Sequence, residues 1–590
     1  MTALDPVTAL RTEGANRGAA VALATHPKVG TALAFAGHSW SWSPEEQTPG
    51  EIVQAIEAEL RPRWVWWSAT AVAQPLVGQG VHLATCWDLA AVHRLLAGGM
   101  DDEPPQIWAL VQGLDPRAAP RTGQLDLLAS TAAPDAGPGD PTSPIEPSGH
   151  LRAEWVDGGW WRTAARLRAW AELADQARVG QLARLAERAR AATVTGDPER
   201  TAHAESTAAL LCVELEQDGL PIDVVQAQEL IGAAVGPRPT DARHAASLRH
   251  QRDREVLRHT QQAQGVNVDL RNPAQVRELL AAIGIDVPDT RSWRLEPWRD
   301  QHPLVAALLA WRKADRIATT YGYGWLDRYV GPDQRLRGPW QGSDGAAGRM
   351  TAGAGLHNLP AELRPAVAAP PGCVLVRADL GQIEPRVLAA VSQDPNLAAA
   401  TRDDDLYQPV AARLHVERPV AKVAVLAAMY GQTSGTAGEA LKGLDRAYPV
   451  AMRYLRQASD EGRAGRAVYT HGGRRVPMWG STAGLEPPAE AALSAARGRF
   501  ARNAVVQGAA AELFKAWSVT VRATARPMGA RIVLCLHDEV LVQAPQERAD
   551  DVVALLHGTL QSVGAAWAPG TGVRFVADVR VVHRWSEAKE

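Results

Sequence analysis

The chain has 590 residues, 46% hydrophobic and 22% charged, ordinary proportions for a folded protein that buries several cores without disulfides. No stretch approaches the roughly 18 consecutive apolar residues of a membrane span, and the opening MTALDPVTALRTEG lacks the basic-then-apolar pattern of a secretory signal. The formal net charge of −3 is unevenly spread: residues 1–145 carry −7 and the remainder +4, so a polyanionic partner belongs to the C-terminal three quarters.

In chain order, VALATHP, TALAFAG and RPRWVWWSA read as short strands, and TCWDLAAVHRLLAG as a helix starting near Thr85. Residues 1–130 thus have the pattern of a small α/β domain. Ala132–Gly149, with five prolines among Gly, Ser and Asp, cannot build a core and reads as a loop or linker. WWRTAARLRAWAELADQARVGQLARLAERARAA then repeats apolar residues at i, i+3 and i+4, as a helix does. Glu205 to about Val330 is mostly helical, and from Gly338 onward strands, helices and Gly-rich loops mix. The Arg- and His-rich segment Arg243–His259 suits either phosphate tracking or a solvated helix face. Cys86, Cys212, Cys373 and Cys535 make no metal-type spacing, and a reducing cytoplasm is expected.

Two segments concentrate the chemistry. In CVLVRADLGQIEPR, Val374 to Ala378 suit a buried strand and Pro385 the first turn of a helix, so Asp379 stands at a rigid strand end. In RIVLCLHDEVLVQAP, two apolar runs flank His537-Asp538-Glu539 at a tight connection. Taken singly, either aspartate could be a turn or capping residue. Taken together, two strand-end carboxylates can hold two Mg²⁺ ions roughly 3.5–4 Å apart, one activating an attacking hydroxyl and one stabilising a leaving pyrophosphate. Between them, Arg418, Lys422, Leu426 and Tyr430 recur at every fourth position. On a helix they form a stripe about 18 Å long. Two cations one turn apart can grip a triphosphate, and an aromatic at the helix end can stack on a base. The same stripe also suits an ordinary amphipathic helix.

These segments resemble the family A DNA polymerases over roughly Glu205 to the C-terminus. DLGQIEPR (Asp379–Arg386) is similar to the first catalytic motif, usually DYSQIELR. Arg418, Lys422, Tyr430 and Gly431 match the fingers helix, and His537-Asp538-Glu539 matches the third motif. GAAGRMTAGAGLHNLP (from Gly345), RFARNAVVQGAAAELFK, ELEQDGLPID (from Glu214) and VNVDLRNPAQVRELLAAIGI (from Val266) resemble further family segments in the right order.

The resemblance implies Mg²⁺ (two ions) on Asp379, Asp538 and the backbone carbonyl of Leu380, with Glu539 assisting and Lys422 acting in catalysis. Arg418, Lys422, Leu426, Tyr430, Gln382 and Glu384 would bind the incoming nucleotide, Glu384 by blocking a ribose 2′-hydroxyl. Arg349, Arg499, Asn503, Gln507 and His537 would face primer and template, and Arg474 and Arg475, near Tyr469, would contact template or form a solvated turn. Expected partners are primer-template DNA and dNTPs, with no membrane, for a monomer acting in the cytoplasm at the nucleoid. Expected activity is DNA-directed DNA synthesis in repair or gap filling.

The implied fold is α+β and multidomain. An α/β ribonuclease-H-like exonuclease-type domain (1–200) precedes a right hand: thumb and start of the polymerase module (205–340), palm (341–395), fingers (396–485) and palm again (486–590). The family's proofreading chemistry needs a DxE on the first strand, and VALATHPKVGTALAFAG has no acidic residue. Asp88 is expected to cap or flank a helix, so the N-terminal metal site reads as lost, and no 5′-nuclease segment is expected ahead of it. Leu426 also departs from the family's usual Phe or Tyr, and Leu380-Gly381 and Pro385 from Tyr-Ser and Leu. Three rivals stay open: a single-subunit RNA polymerase, a catalytically reduced polymerase-fold DNA-binding protein, and a polymerase that retains 3′–5′ exonuclease activity.

Overall fold

Strand Arg63–Trp66 shows why the N-terminal part is layered. Its residues alternate faces, as a pleated strand requires. Trp64 and Trp66 enter one core with Ile52, Ile56 and Leu210, whereas Val65 enters another with Trp87, Leu167 and Ala174. The computed structural model, which describes residues 5–121, 143–191, 193–260, 268–431, 437–481 and 485–589, therefore places helices on both faces of one sheet. The sheet contains β1 (Ala20–His26), β2 (Gly30–Phe35), β3 (His38–Trp42), β4 (Arg63–Trp66) and β5 (Thr85–Asp88). Its order is β3-β2-β1-β4-β5, with β1–β2 and β2–β3 antiparallel and β1–β4 and β4–β5 parallel.

Two sequence expectations change here. Thr85–Asp88 is a strand, not the start of a helix; the helix runs Leu89–Ala97. Parallel pairing with β4 and burial of Cys86 and Trp87 override local helix propensity. Strand β3, HSWSW, escaped notice because its Trp and Ser alternate without an aliphatic run. Residues 132–142 of the Pro-rich segment lie outside the described residues. Its remainder is tied down, with Ile145 bridging Leu151 and Trp108 Nε1 donating to the Gly149 carbonyl at 2.9 Å.

The chain divides into two compact units. One holds residues 1–218, 340–351 and 376–581; the other holds 219–339, 352–375 and 582–590. The second unit is largely helical. Helices Ala242–Leu257, Pro273–Ala282 and Pro303–Thr320 enclose Val256, Leu280, Leu304 and Leu308. The segment 243–259 thus falls mostly on a helix whose one buried residue is Val256. Val266 and residue 267 lie outside the described residues, and helix Pro273–Ala282 starts where Asn272 accepts from the Ala274 N–H at 3.0 Å. Among the described residues no helix is long and apolar enough to cross a membrane. None of the four cysteines forms a disulfide.

Candidate active site

A second sheet orders its strands Arg531–Leu536, Glu539–Pro545, Cys373–Leu380, Ala577–Val582. The first two form an antiparallel hairpin in which Leu536 pairs with Glu539, leaving His537 and Asp538 as a two-residue turn. His537 accepts φ 50° there, in the left-handed region. The Leu380 N–H donates to the Asp538 carbonyl at 2.9 Å. That bond ties the end of the Asp379 strand to the hairpin turn and joins two aspartates that lie far apart in sequence. Burial, and then the neighbouring charge of Asp379, push the Asp538 carboxyl up to about 6.

Oxygen-only donors suit a hard divalent cation, and Mg²⁺ commonly takes one or two carboxylates plus substrate phosphates. Asp379 and Asp538 fit that pattern. Among the described residues no group of three or more His, Cys, Asp or Glu is arranged to hold a metal. One neighbour departs from a pure donor set. Arg377, buried in the same strand, donates to Asp379 and approaches Glu539 at 2.9 Å and Asp578 at 3.6 Å.

Beside the carboxylates lies a cavity of about 200 Å³. Its lining includes Asp538, His537, Arg349, Gln382, Glu384, Tyr407, Leu426 and Gln507. Helix Ile383–Ser392 supplies Glu384, which accepts a hydrogen bond from the Tyr430 hydroxyl at 3.2 Å. Burial raises the Glu384 carboxyl above its usual range. Helix Arg418–Tyr430 ends at Gly431, whose φ of 70° suits a glycine stop. It carries the stripe: Lys422 is exposed, Leu426 half-buried, and Arg418 donates to Asp405. Asp405 also accepts from Gln382 Nε2 at 3.3 Å and from the Tyr407 N–H at 3.1 Å. The Arg418 guanidinium lies 5.6 Å from the Tyr407 ring centroid. Arg386, fully buried, fastens the loop leading to Asp405 by donating to the carbonyls of Thr401, Asp403 and Asp404.

Arg499, Asn503 and Gln507 lie four apart on the helix Pro487–Ala525 and so share one face. Arg499 is exposed; Asn503 keeps a buried Oδ1 without a hydrogen-bond partner. Arg349 is half-buried and reaches Asp344 at 3.4 Å. Gly348 beside it has φ 82°, and a Cβ there would lie 2.3 Å from Arg474 Nε, so only glycine passes.

Arg474 and Arg475 do not match the template-contact expectation. Arg474 has 2% of its side chain exposed and pairs with Glu205 at 2.7 Å, which also holds Lys515 at 2.6 Å. Arg475 donates to the Ala97 carbonyl at 2.7 Å. Nor is either a solvated turn: one guanidinium is buried in an ion cluster, and the other bonds to the end of helix Leu89–Ala97. Tyr469 is covered by Arg188, 4.3 Å from its ring centroid.

Sequence reasoning missed Arg377, Asp405 and Tyr407. A lone arginine within the apolar run VLVRA was a visible signal. Asp405 sits in the acidic run Asp403–Asp405, where nothing in the sequence singles it out.

The mixed helix-and-sheet architecture, with the hairpin and the helix Arg418–Tyr430 beside it, is that of a polymerase fold. The model for DNA polymerase family A matches residues 242–587, so the chain belongs to that family. It is 31% identical to DNA polymerase I of Chloroflexus aurantiacus over 299 residues, 46% of this chain and 31% of that protein. Against DNA polymerase I of Deinococcus radiodurans it is 30% identical over 301 residues, 46% of this chain and 30% of that one. The matched part thus spans about a third of the length of these relatives. The solved POL domain of Pol1 from M. smegmatis, in complex with DNA primer-template and dNTP, superposes with a TM-score of 0.67 at 20% identity. It covers 100% of this chain and 99% of its own, a likeness of fold.

Proposed function

We propose that the chain is a DNA-directed DNA polymerase that adds dNTPs to a primer 3′-hydroxyl on a template, in cytoplasmic repair or gap filling. The observation that carries this reading is the junction of Asp379 and Asp538 beside a cavity walled by the fingers helix. Asp379, Asp538 and the Leu380 carbonyl would hold two Mg²⁺ ions, which when bound supply Lewis-acid stabilisation at the attacking and leaving oxygens. The chain's own groups do the rest. Arg418 exchanges Asp405 for phosphate oxygens, and Lys422 adds a second cation one turn away. Glu384, held by Tyr430, closes the space a ribose 2′-hydroxyl would need. Leu426 gives the sugar an apolar contact. Gln507, Arg349, Asn503 and Arg499 face the primer-template, and His537 the primer-terminal phosphate. Glu539 steadies the carboxylate pair.

We read the N-terminal sheet, ordered β3-β2-β1-β4-β5, as a ribonuclease-H-like exonuclease domain that has lost its metal site. β1 carries no carboxylate, and Asp88 is consumed by capping bonds. Primer extension with Mg²⁺ tests both halves. Extension with dNTPs in preference to rNTPs, without 3′ degradation when nucleotides are withheld, is the expected result. Degradation would restore the exonuclease, and absence of extension on several primed templates would leave a DNA-binding protein.

A further inference from the structure

Val374 to Ala378 are all buried, and Arg377 is the one charged residue among them. Only 4% of its side chain is exposed. A buried guanidinium is tolerated only when paired and hydrogen-bonded. Here its Nη2 donates to Asp379 Oδ2 and lies 2.9 Å from Glu539 Oε2, and its Nη1 lies 3.6 Å from Asp578 Oδ2. The arginine therefore gives Asp379 a positive charge where a divalent cation would give one, at one of its two carboxylate oxygens. Glu539 and Asp578 can keep the guanidinium paired when Asp379 turns away.

We propose that Arg377 is a resident counter-cation of the carboxylate pair. It is a positioning residue that holds Asp379 and Glu539 in the cation-free protein and competes with the divalent cation for Asp379. It thereby sets the cation concentration at which the site fills. The proposal rests on the polymerase reading for the role of Asp379. Its chemistry is a simple exchange: one ion pair opens as a carboxylate–cation contact forms, and no bond to carbon, oxygen or phosphorus changes.

The test is direct Mn²⁺ binding to the full chain without DNA or nucleotide, followed by the paramagnetic resonance signal of free Mn²⁺. Arg377→Met keeps the bulk and removes the charge. Because it leaves Glu539 buried without that cation, the double variant Arg377→Met/Glu539→Gln is measured too, with circular dichroism to report folding. Both are expected to bind Mn²⁺ about tenfold tighter than wild type, which corresponds to about 1.4 kcal/mol. Arg377→Lys, which keeps the charge, is expected to stay near wild type, and Asp538→Ala to bind at least about tenfold more weakly. A purely structural arginine would lower thermal stability without tightening Mn²⁺ binding. Unchanged or weaker binding in the folded Arg377 variants, with Asp538→Ala still impaired, overturns the counter-cation and leaves the polymerase reading standing. Equal Mn²⁺ affinity in wild type and Asp538→Ala overturns both.

Discussion

Asp88 and Asp538 each stand where a strand ends, and each is burdened by burial, yet the fold uses them in opposite ways. Asp88 is 1% exposed, and its oxygens accept from Trp66 Nε1 at 3.1 Å, the Ala69 N–H at 2.5 Å and the Ala91 N–H at 2.7 Å. It is a helix cap inside a core, with its acceptors committed. Asp538 shares an edge with Asp379, whose charge still bears on it although Arg377 pairs with Asp379. Burial and that charge raise it to about 6. A carboxylate whose oxygens are all committed to hydrogen bonds inside a core is structural; one at a hairpin turn beside a second carboxylate is placed to take a cation.

The sharpest way to break this contrast is to remove each aspartate in turn. Asp538→Ala is expected to lower primer extension by on the order of a thousandfold or more, the scale of losing a transition-state charge stabiliser, while the thermal melt stays close to wild type. A melt that collapses together with extension would make Asp538 a structural residue like Asp88.

Asp88→Ala should do the reverse. It strands three buried donors, each costing about 1–3 kcal/mol, so the thermal melt should fall markedly while extension per folded molecule is kept. Asp88→Asn retains an acceptor oxygen and should cost about 1 kcal/mol. If Asp88→Asn instead abolished a 3′ degradation seen in wild type, the N-terminal sheet would be an active exonuclease.

The contrast also explains what could be read in advance. Alternating strands, the helical stripe and the two motif aspartates are local patterns, and they stand in the sequence. Burial decided the rest. Arg474 and Arg475 look like a solvated basic pair until the fold brings Glu205 and the Ala97 carbonyl from hundreds of residues away. Arg418 reads as a free cation until Asp405 closes on it. Thr85–Asp88 reads as helix until β4 supplies a parallel partner. In each case the deciding contact lies outside the local pattern, from 13 residues away for Arg418 to 378 for Arg475.

Glu512 extends the comparison to a third kind of buried carboxylate. It is 2% exposed, accepts from Thr470 and from the Gly472 N–H at 2.9 Å, and burial raises it to about 7. A carboxyl raised in the folded state binds its proton more tightly there than in the unfolded chain. Stability is therefore lost as pH rises from the ordinary glutamate value of 4.5 through about 7, and the loss is complete above that. Glu512→Gln should consequently melt higher than wild type at pH 8, by on the order of 2 kcal/mol of stability. The gain should vanish near pH 4.5 in melts taken across that range. A constant difference at every pH would mean that hydrogen bonding, not the proton, governs the site.

The smallest effect belongs to the wall of the cavity. Leu426 is half-buried and lines the same space as Glu384, Tyr407 and Asp538. A leucine there offers apolar contact without a flat face, and the cavity of about 200 Å³ leaves room for a larger side chain. Leu426→Phe should add area and a ring face against the incoming sugar, about 0.5–1 kcal/mol of binding. Steady-state extension with varied dNTP should then show KM lowered by a few-fold with kcat little changed, the signature of uniform binding. An unchanged or higher KM would mean that the sugar does not pass along this wall, and that the cavity beside Asp538 admits the nucleotide from another side.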